Sequence, residues 1–118
     1  MLDILVCFEI YILYFLTWKL ASKGNCLLNL NQINEALLEF QRAITMNPHD
    51  GLFYLKRALV YARLEKFQNA IDDYTQALNL LNVKDSKNRF ESLFQRGNCY
   101  RQIKNYDLSI KDLQTVNN

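Results

Sequence analysis

The chain has 118 residues, of which 50% are hydrophobic and 22% charged, a composition that fits one globular domain and excludes a disordered or low-complexity chain. Fourteen Lys and Arg against twelve Asp and Glu leave a formal charge of +2, too little for the phosphate-neutralising surface that nucleic-acid binding needs. Only three Gly and one Pro occur, so few residues break helices and an all-α fold is expected.

The chain opens with a nearly continuous apolar and aromatic run, LDILVCFEIYILYFLTW, which contains Glu9 and is followed by Lys19 and Lys23. Its length is marginal for crossing a bilayer, which takes about 20 residues, and Glu9 costs roughly 2 to 3 kcal/mol on insertion scales. A signal peptide fits worse, because the start is not basic and no Ala-x-Ala site follows. We expect residues 1–16 to form an apolar helix, either a membrane anchor or a helix packed on the first repeat or left from a preceding one.

From Thr17 onward the sequence repeats with a period of 34 residues. The recurring columns are Gly24, Ala36, Phe40 and Ala43, then Ala58, Ala70, Tyr74 and Ala77, then Gly97, Ser109, Leu113 and Val116. The third set is displaced by 39 residues, which a five-residue insertion around VKDSKNRF explains. Within each unit the small residue lets two helices approach closely, and stacking of units buries the apolar face that one unit cannot cover.

These columns resemble the tetratricopeptide repeat family, in LASKGNCL with EALLEFQRAITMNP, YLKRALVY with NAIDDYTQAL, and LFQRGNCY with LSIKDLQTV. The resemblance implies a right-handed superhelical array of antiparallel helix pairs, an α-solenoid. It covers residues 17–118, with repeats at 17–50, 51–84 and 90–118, the last incomplete. Three cations depart from the family pattern by replacing the usual apolar residue before the small one: Lys23, Arg57 and Arg96.

Helix signals within the repeats predict three pairs. Pro48 cannot continue a helix, and Asp50 is placed to cap the next one. The predicted helices are Phe15 to Leu30 with Ile33 to Met46, Gly51 to Arg63 with Phe67 to Leu81, and Lys87 to Ile103 with Tyr106 to Val116.

The cysteines indicate neither a disulfide framework nor a metal site. The chain has an odd number of cysteines, Cys7, Cys26 and Cys99, and none of them shows CxxC spacing. The sequence contains one histidine, His49, that could act as a further metal ligand. Free thiols suit a reducing compartment, so a cytoplasmic location is expected. Cys26 and Cys99 share a repeat column with Val60, which favours burial of a small apolar side chain over a redox role.

No residue pattern indicates catalysis or a cofactor. His49 lies in a predicted loop with no serine or cysteine placed for it to activate. Asp72 and Asp73 are neighbours on a predicted helix and point about 100° apart, so a solvated face is expected rather than a catalytic pair. We therefore predict that the chain is not an enzyme and binds neither metal nor cofactor.

Family membership implies that the inner helices line a concave groove where a peptide or helix of a partner protein docks. The inward-facing columns are Trp18, Asn25, Leu55, Lys56, Leu59, Arg63, Phe94, Gln95, Asn98 and Arg101. Aromatic and Arg residues are favoured interface anchors. The alternative is that Leu55, Leu59 and Phe94 pack neighbouring helices and that the charged positions are merely solvated.

One subfamily binds the acidic C-terminal tails of heat-shock chaperones through a five-residue carboxylate clamp, and the string SKGN resembles its opening. Asn25 fits the clamp, but Ala21, Lys56, Glu91 and Gln95 stand at its other four positions. Two lost cations and one added anion weaken carboxylate capture. Chaperone tails are therefore not the expected partner.

The sequence thus predicts an adaptor or scaffold that binds a protein partner. The alternatives are a membrane-tethered or self-associating element that uses the N-terminal apolar helix, and a regulatory fragment of a larger protein. The third unit also has no amphipathic helix after it to cover its apolar edge, so we expect an array that a longer chain or a partner completes.

Overall fold

The computed structural model describes residues 4–117, and within that range all secondary structure is helical. This confirms the predicted all-α fold. The six helices are α1 (Ile4–Asn29), α2 (Ile33–Met46), α3 (Gly51–Arg63), α4 (Phe67–Leu80), α5 (Ser86–Gln102) and α6 (Tyr106–Asn117).

Consecutive helices pack in pairs, α1 with α2, α3 with α4 and α5 with α6. Each pair is joined by three residues, so its helices run antiparallel. The middle turn residue has a positive φ in every case: 62° at Asn31, 59° at Glu65 and 64° at Lys104. This left-handed residue lets the next amide bond back into the preceding helix, as Lys66 N does to Tyr61 O at 2.9 Å. The repeat period is therefore present in the backbone as well as in the side chains.

The first compact unit ends at His49 and contains α1 and α2. Gly24 of α1 lies under the ring of Phe40, which is fully buried. A Cβ atom at position 24 would lie 2.8 Å from the Phe40 ring. The small residue of the repeat is thus a point of close helix approach, as the sequence pattern predicted.

The second unit begins at Asp50 and contains α3 to α6. Here α5 packs against α4 of the preceding repeat as well as against α6, and it also contacts α3. The shared core consists of Leu55, Ala58, Ala70, Ile71, Tyr74, Ala77 and Cys99. Stacking of the third repeat on the second therefore buries the apolar faces that neither hairpin covers alone.

The first helix differs from the prediction. Instead of beginning at Phe15 it runs without interruption from Ile4, because no Pro and no Gly precedes Gly24 to break it. Its side chains from position 4 to 16 are exposed, so they are not packed across the first repeat. From Thr17 on, one face is buried: Thr17, Ala21, Gly24 and Leu28.

Among the described residues α1 is the helix long and apolar enough to cross a membrane, with a mean hydropathy of 1.7 in its most apolar window. The same criterion is met by core helices and by signal sequences, although here only 11% of that window is buried.

The other predicted helix ends agree with the structure to within one residue.

Candidate functional site

Two of the three cations that depart from the family pattern, Arg57 and Arg96, make largely buried ion pairs within their own repeats. Arg57 donates to Asp73 from Nε at 2.7 Å and from Nη2 at 2.8 Å. Arg96 does the same to Asp112, with both distances 2.7 Å. In each repeat the acid lies sixteen residues after the base, so the pair joins the first helix to the second. These charges hold the hairpins together and are not available to a ligand.

Asp73 therefore corrects one prediction. It was expected on a solvated face, but it is 6% exposed and paired with Arg57. Only its neighbour Asp72 is exposed, where it accepts a hydrogen bond from Gln68. The hydrogen bond to Asp73 is the main reason that the pKa of Arg57 is raised, with burial acting in the opposite direction.

The first repeat has a weaker version of this pair. Lys23 Nζ lies 3.4 Å from Glu39 Oε1, and Arg42 donates to the same oxygen at 2.9 Å. The other oxygen, Glu39 Oε2, is buried without a hydrogen-bond partner. A lysine presents a single ammonium group where the guanidinium of the other repeats presents a fork, so one carboxylate oxygen is left unsatisfied.

Seven of the predicted groove residues lie on the adjacent helices α3 and α5 of the second unit and remain at least partly exposed. We call them the α3/α5 surface: Lys56, Leu59, Arg63, Phe94, Gln95, Asn98 and Arg101. Spacings of three, four and seven residues place them on one face of each helix. Arg63 and Arg101 are exposed, whereas Lys56 and Asn98 are half-buried.

The remaining predicted groove residues are placed differently. Leu55 is 2% exposed and belongs to the core of the second unit, which corrects its assignment to the groove and supports the packing alternative for this position. Trp18 is 65% exposed, and Asn25 is half-buried; both lie on α1 of the first unit.

Two further residues on α5 lie close to the predicted groove residues: Phe90, which the sequence analysis missed, and Glu91, which it considered only as a clamp position. The ring of Phe90 stacks on that of Phe94 with centroids 6.2 Å apart, and both rings are exposed. Glu91 accepts a 3.3 Å hydrogen bond from Gln95. The signal for Phe90 was its position four residues before Phe94, which places both on one helix face.

The cysteines do not form a common site. Cys99 is 3% exposed, and burial raises its pKa to about 11. Cys26, expected to be buried in the same column, is exposed. Cys99 is covered because α5 packs on α4 of the preceding repeat, and the described residues contain no such helix before α1. Within the same residues no group of three or more His, Cys, Asp or Glu could hold a metal ion.

The helical hairpins with matching columns define an all-α repeat protein. The model for the tetratricopeptide repeat matches residues 20–50, 53–80 and 90–117, which is most of the chain. The chain belongs to the tetratricopeptide repeat family. Members of this family are generally non-enzymatic protein-binding modules.

Curated relatives share the repeats. The chain is 31% identical over 99 residues to human sperm-associated antigen 1, covering 82% of this chain and 10% of that protein. It is 32% identical over 100 residues to mouse dynein axonemal assembly factor 4, covering 82% and 24%. The Hsp70-Hsp90 organising protein of Plasmodium falciparum is 30% identical over 91 residues, covering 75% and 16%. The chain thus spans about a tenth to a quarter of these relatives.

Solved structures show the same fold. The second TPR of Spaghetti (RPAP3), bound to the HSP90 peptide SRMEEVD, superposes with a TM-score of 0.77 at 22% identity, covering 86% of this chain and 89% of that one. The second TPR of human RPAP3, in complex with the HSP70 peptide SGPTIEEVD, gives 0.78 at 21%, covering 88% and 82%. These bound chaperone peptides stand partly against the expectation that chaperone tails are not partners, an expectation that depends on the residues of this chain alone.

Proposed function

We propose that the chain is an adaptor module that binds an extended or helical segment of a partner protein on the α3/α5 surface. The observation that carries this proposal is the exposed aromatic stack of Phe90 and Phe94 on the helix that also bears Arg101. Exposed aromatic and Arg side chains are among those that most often anchor protein interfaces. The family's general role as a protein-binding module supports the same function. A cytoplasmic location of the repeats is part of this proposal.

The charged residues of the α3/α5 surface favour partner segments of opposite charge. The α3/α5 surface carries three cations, Lys56, Arg63 and Arg101, whereas Glu91 is the one carboxylate residue on these two helices, and its Oε1 accepts a hydrogen bond from Gln95. A segment with acidic side chains and at least one large apolar residue complements this arrangement. Asn98 is placed to hydrogen-bond an extended peptide backbone.

The surface differs from one that captures a chain terminus. At the clamp positions Glu91 and Gln95 stand where cations would be needed, and Lys56 replaces an asparagine. A terminal carboxylate would therefore meet a fixed negative charge rather than a lysine. We propose internal segments as ligands, and not the acidic chaperone peptides that similar domains bind.

Peptides selected from a random display library on the immobilised chain provide the test. For such peptides, Lys56→Glu/Arg101→Glu should weaken binding by about tenfold or more, because two cations at the surface are inverted. Lys84→Glu/Lys111→Glu is the matched control, since it changes the net charge equally at exposed positions outside the surface.

Equal affinity of the wild type and the Lys56/Arg101 variant would overturn the assignment of the surface. Equal weakening by the control pair would show that net charge alone governs binding. The synthetic peptides SRMEEVD and SGPTIEEVD should not bind measurably, and binding by either would refute the exclusion of chaperone tails without affecting the adaptor role.

A further inference from the structure

The exposed half of α1 is apolar around its whole circumference. Successive helical residues are rotated by about 100°, so Phe8, Tyr11 and Phe15 lie on one face while Ile10 and Leu13 lie on the opposite face. All of them are between 41% and 70% exposed. A helix that is apolar on every side belongs in a protein core or in a membrane. A second copy of the chain, or one partner helix, would cover a single face and leave the other in water.

Polar and aromatic residues mark one end of this apolar stretch. Tyr14 and Trp18 are 62% and 65% exposed and lie one helical turn apart. Lys19 follows directly, and Lys23, whose side chain is 62% exposed, lies one turn further. Aromatic rings followed by cations are the side chains that favour the headgroup region of a bilayer, and the cations favour anionic lipids.

We propose that residues 4–18 of α1 insert into a lipid bilayer that contains anionic lipids, with Lys19 at the headgroups and the repeats in the aqueous phase. Fifteen helical residues measure about 22 Å, against roughly 30 Å for the hydrocarbon thickness. The segment therefore reaches past the midplane from one side. Since the helix has no polar face on which to lie at the interface, insertion is favoured over surface binding.

One residue opposes insertion. Glu9 lies nine residues before Trp18, about 14 Å deeper, which is close to the bilayer midplane. Its removal should strengthen insertion, and an added carboxylate nearby should weaken it. The two positions chosen for these changes, Glu9 and Ile12, are exposed, so neither change disturbs the packing of α1 on α2.

The chain carries its own reporters for a test on the full protein. Trp18 is the single tryptophan of the sequence. With vesicles of phosphatidylcholine and phosphatidylglycerol its fluorescence emission should shift to shorter wavelength. Labelling of Cys7 by a water-soluble maleimide should slow by about tenfold because the thiolate is excluded from hydrocarbon. Cys26, also exposed but within the first repeat, is the internal control and should label at an unchanged rate.

Substitutions in α1 test the proposed insertion further. Glu9→Leu should lower the lipid concentration needed for half-maximal binding, and Ile12→Asp should raise it, each by about tenfold or more. Val83→Asp, at a position 80% exposed in the second unit, is the matched control and should have no effect. Pure phosphatidylcholine vesicles should bind less than the anionic mixture, and Lys19→Glu should remove that difference.

Two results would overturn the proposal. One is an unchanged Trp18 emission and Cys7 labelling rate when vesicles are added. The other is protection of Cys7 without vesicles in a protein that sediments as a dimer or larger, which would assign the apolar helix to a second copy. Peptide binding by the α3/α5 surface is measured separately and does not depend on either outcome.

Discussion

Tyr74 is the largest fully buried side chain of the second unit, and its hydroxyl has no hydrogen-bond partner. Burial is the main reason that the pKa of this phenol lies well above its ordinary value. The first repeat has Phe40 in the same column, also fully buried. This repeat position therefore requires an aromatic ring. The hydroxyl of Tyr74 loses its hydration on folding and gains no hydrogen bond in return.

Replacing Tyr74 with phenylalanine should consequently leave the free energy of unfolding unchanged or raise it by up to about 1 kcal/mol. Urea unfolding followed by circular dichroism measures this difference. The reciprocal change, Phe40→Tyr, should be destabilising, because the end of the Phe40 ring already lies against Gly24. A loss of stability in Tyr74→Phe beyond about 1 kcal/mol would show that the hydroxyl has a structural partner.

At the scale of the helices, the ion pairs join the two halves of a hairpin. Arg57 and Asp73 are 22% and 8% exposed in their side chains, so each would be left as a largely buried charge without the other. Arg96 also donates to Thr75 of the preceding repeat at 3.1 Å, which couples α5 to α4. The cations thus replace the apolar residue of the family pattern with a specific pairing between helices.

The single substitution Arg57→Leu should lower the unfolding free energy by about 3 kcal/mol because it strands Asp73. Adding Asp73→Leu should restore most of that loss, since a pair of apolar side chains leaves no buried charge. A double-mutant cycle of the two positions measures the coupling. Gln68→Ala, which removes an exposed hydrogen bond to Asp72, is the control and should change stability by about 0.5 kcal/mol or less. Additive losses at positions 57 and 73 would contradict the pairing.

At the scale of the whole molecule, apolar side chains remain exposed on the last hairpin. Tyr106 is 56% exposed and Ile110 is 53% exposed, and the two lie one helical turn apart on the same face of α6. In a repeat array such an edge is covered by the next repeat or by a capping helix. The relatives that contain the same repeats are several times longer than this chain.

Fusion of a consensus capping helix after α6 should raise the midpoint of thermal unfolding by roughly 5 °C and reduce aggregation on heating. The gain comes from burial of Tyr106 and Ile110 against the added helix. A fused helix of equal length without an apolar face serves as the control. If the cap changes neither melting nor aggregation, the edge of α6 does not require a covering element.

The sequence alone determined the number, type and pairing of the repeat helices. The ends of α2 and α3 lie at the predicted residues, because the signals there are local: Pro48 cannot continue a helix, and Asp50 accepts a 3.1 Å hydrogen bond from Leu52 N. The close approach at Gly24 was also predictable, because a small residue at the same position of every repeat, with large apolar residues around it, is typical of a helix contact. These signals come from residues within one or two helical turns of each other, or from the recurrence of the same residue type in each repeat.

Only the tertiary structure decided which residues are covered and which charges are paired. Arg57 and Asp73 are sixteen residues apart, and their contact depends on how one helix lies against the next. Leu55 is buried because the core of the second unit encloses it, whereas Cys26 is exposed although its column is buried in the other two repeats. Helical spacing shows which residues share a face. Packing determines what, if anything, lies opposite that face, and with it the burial, the pairing and the surface left for a partner.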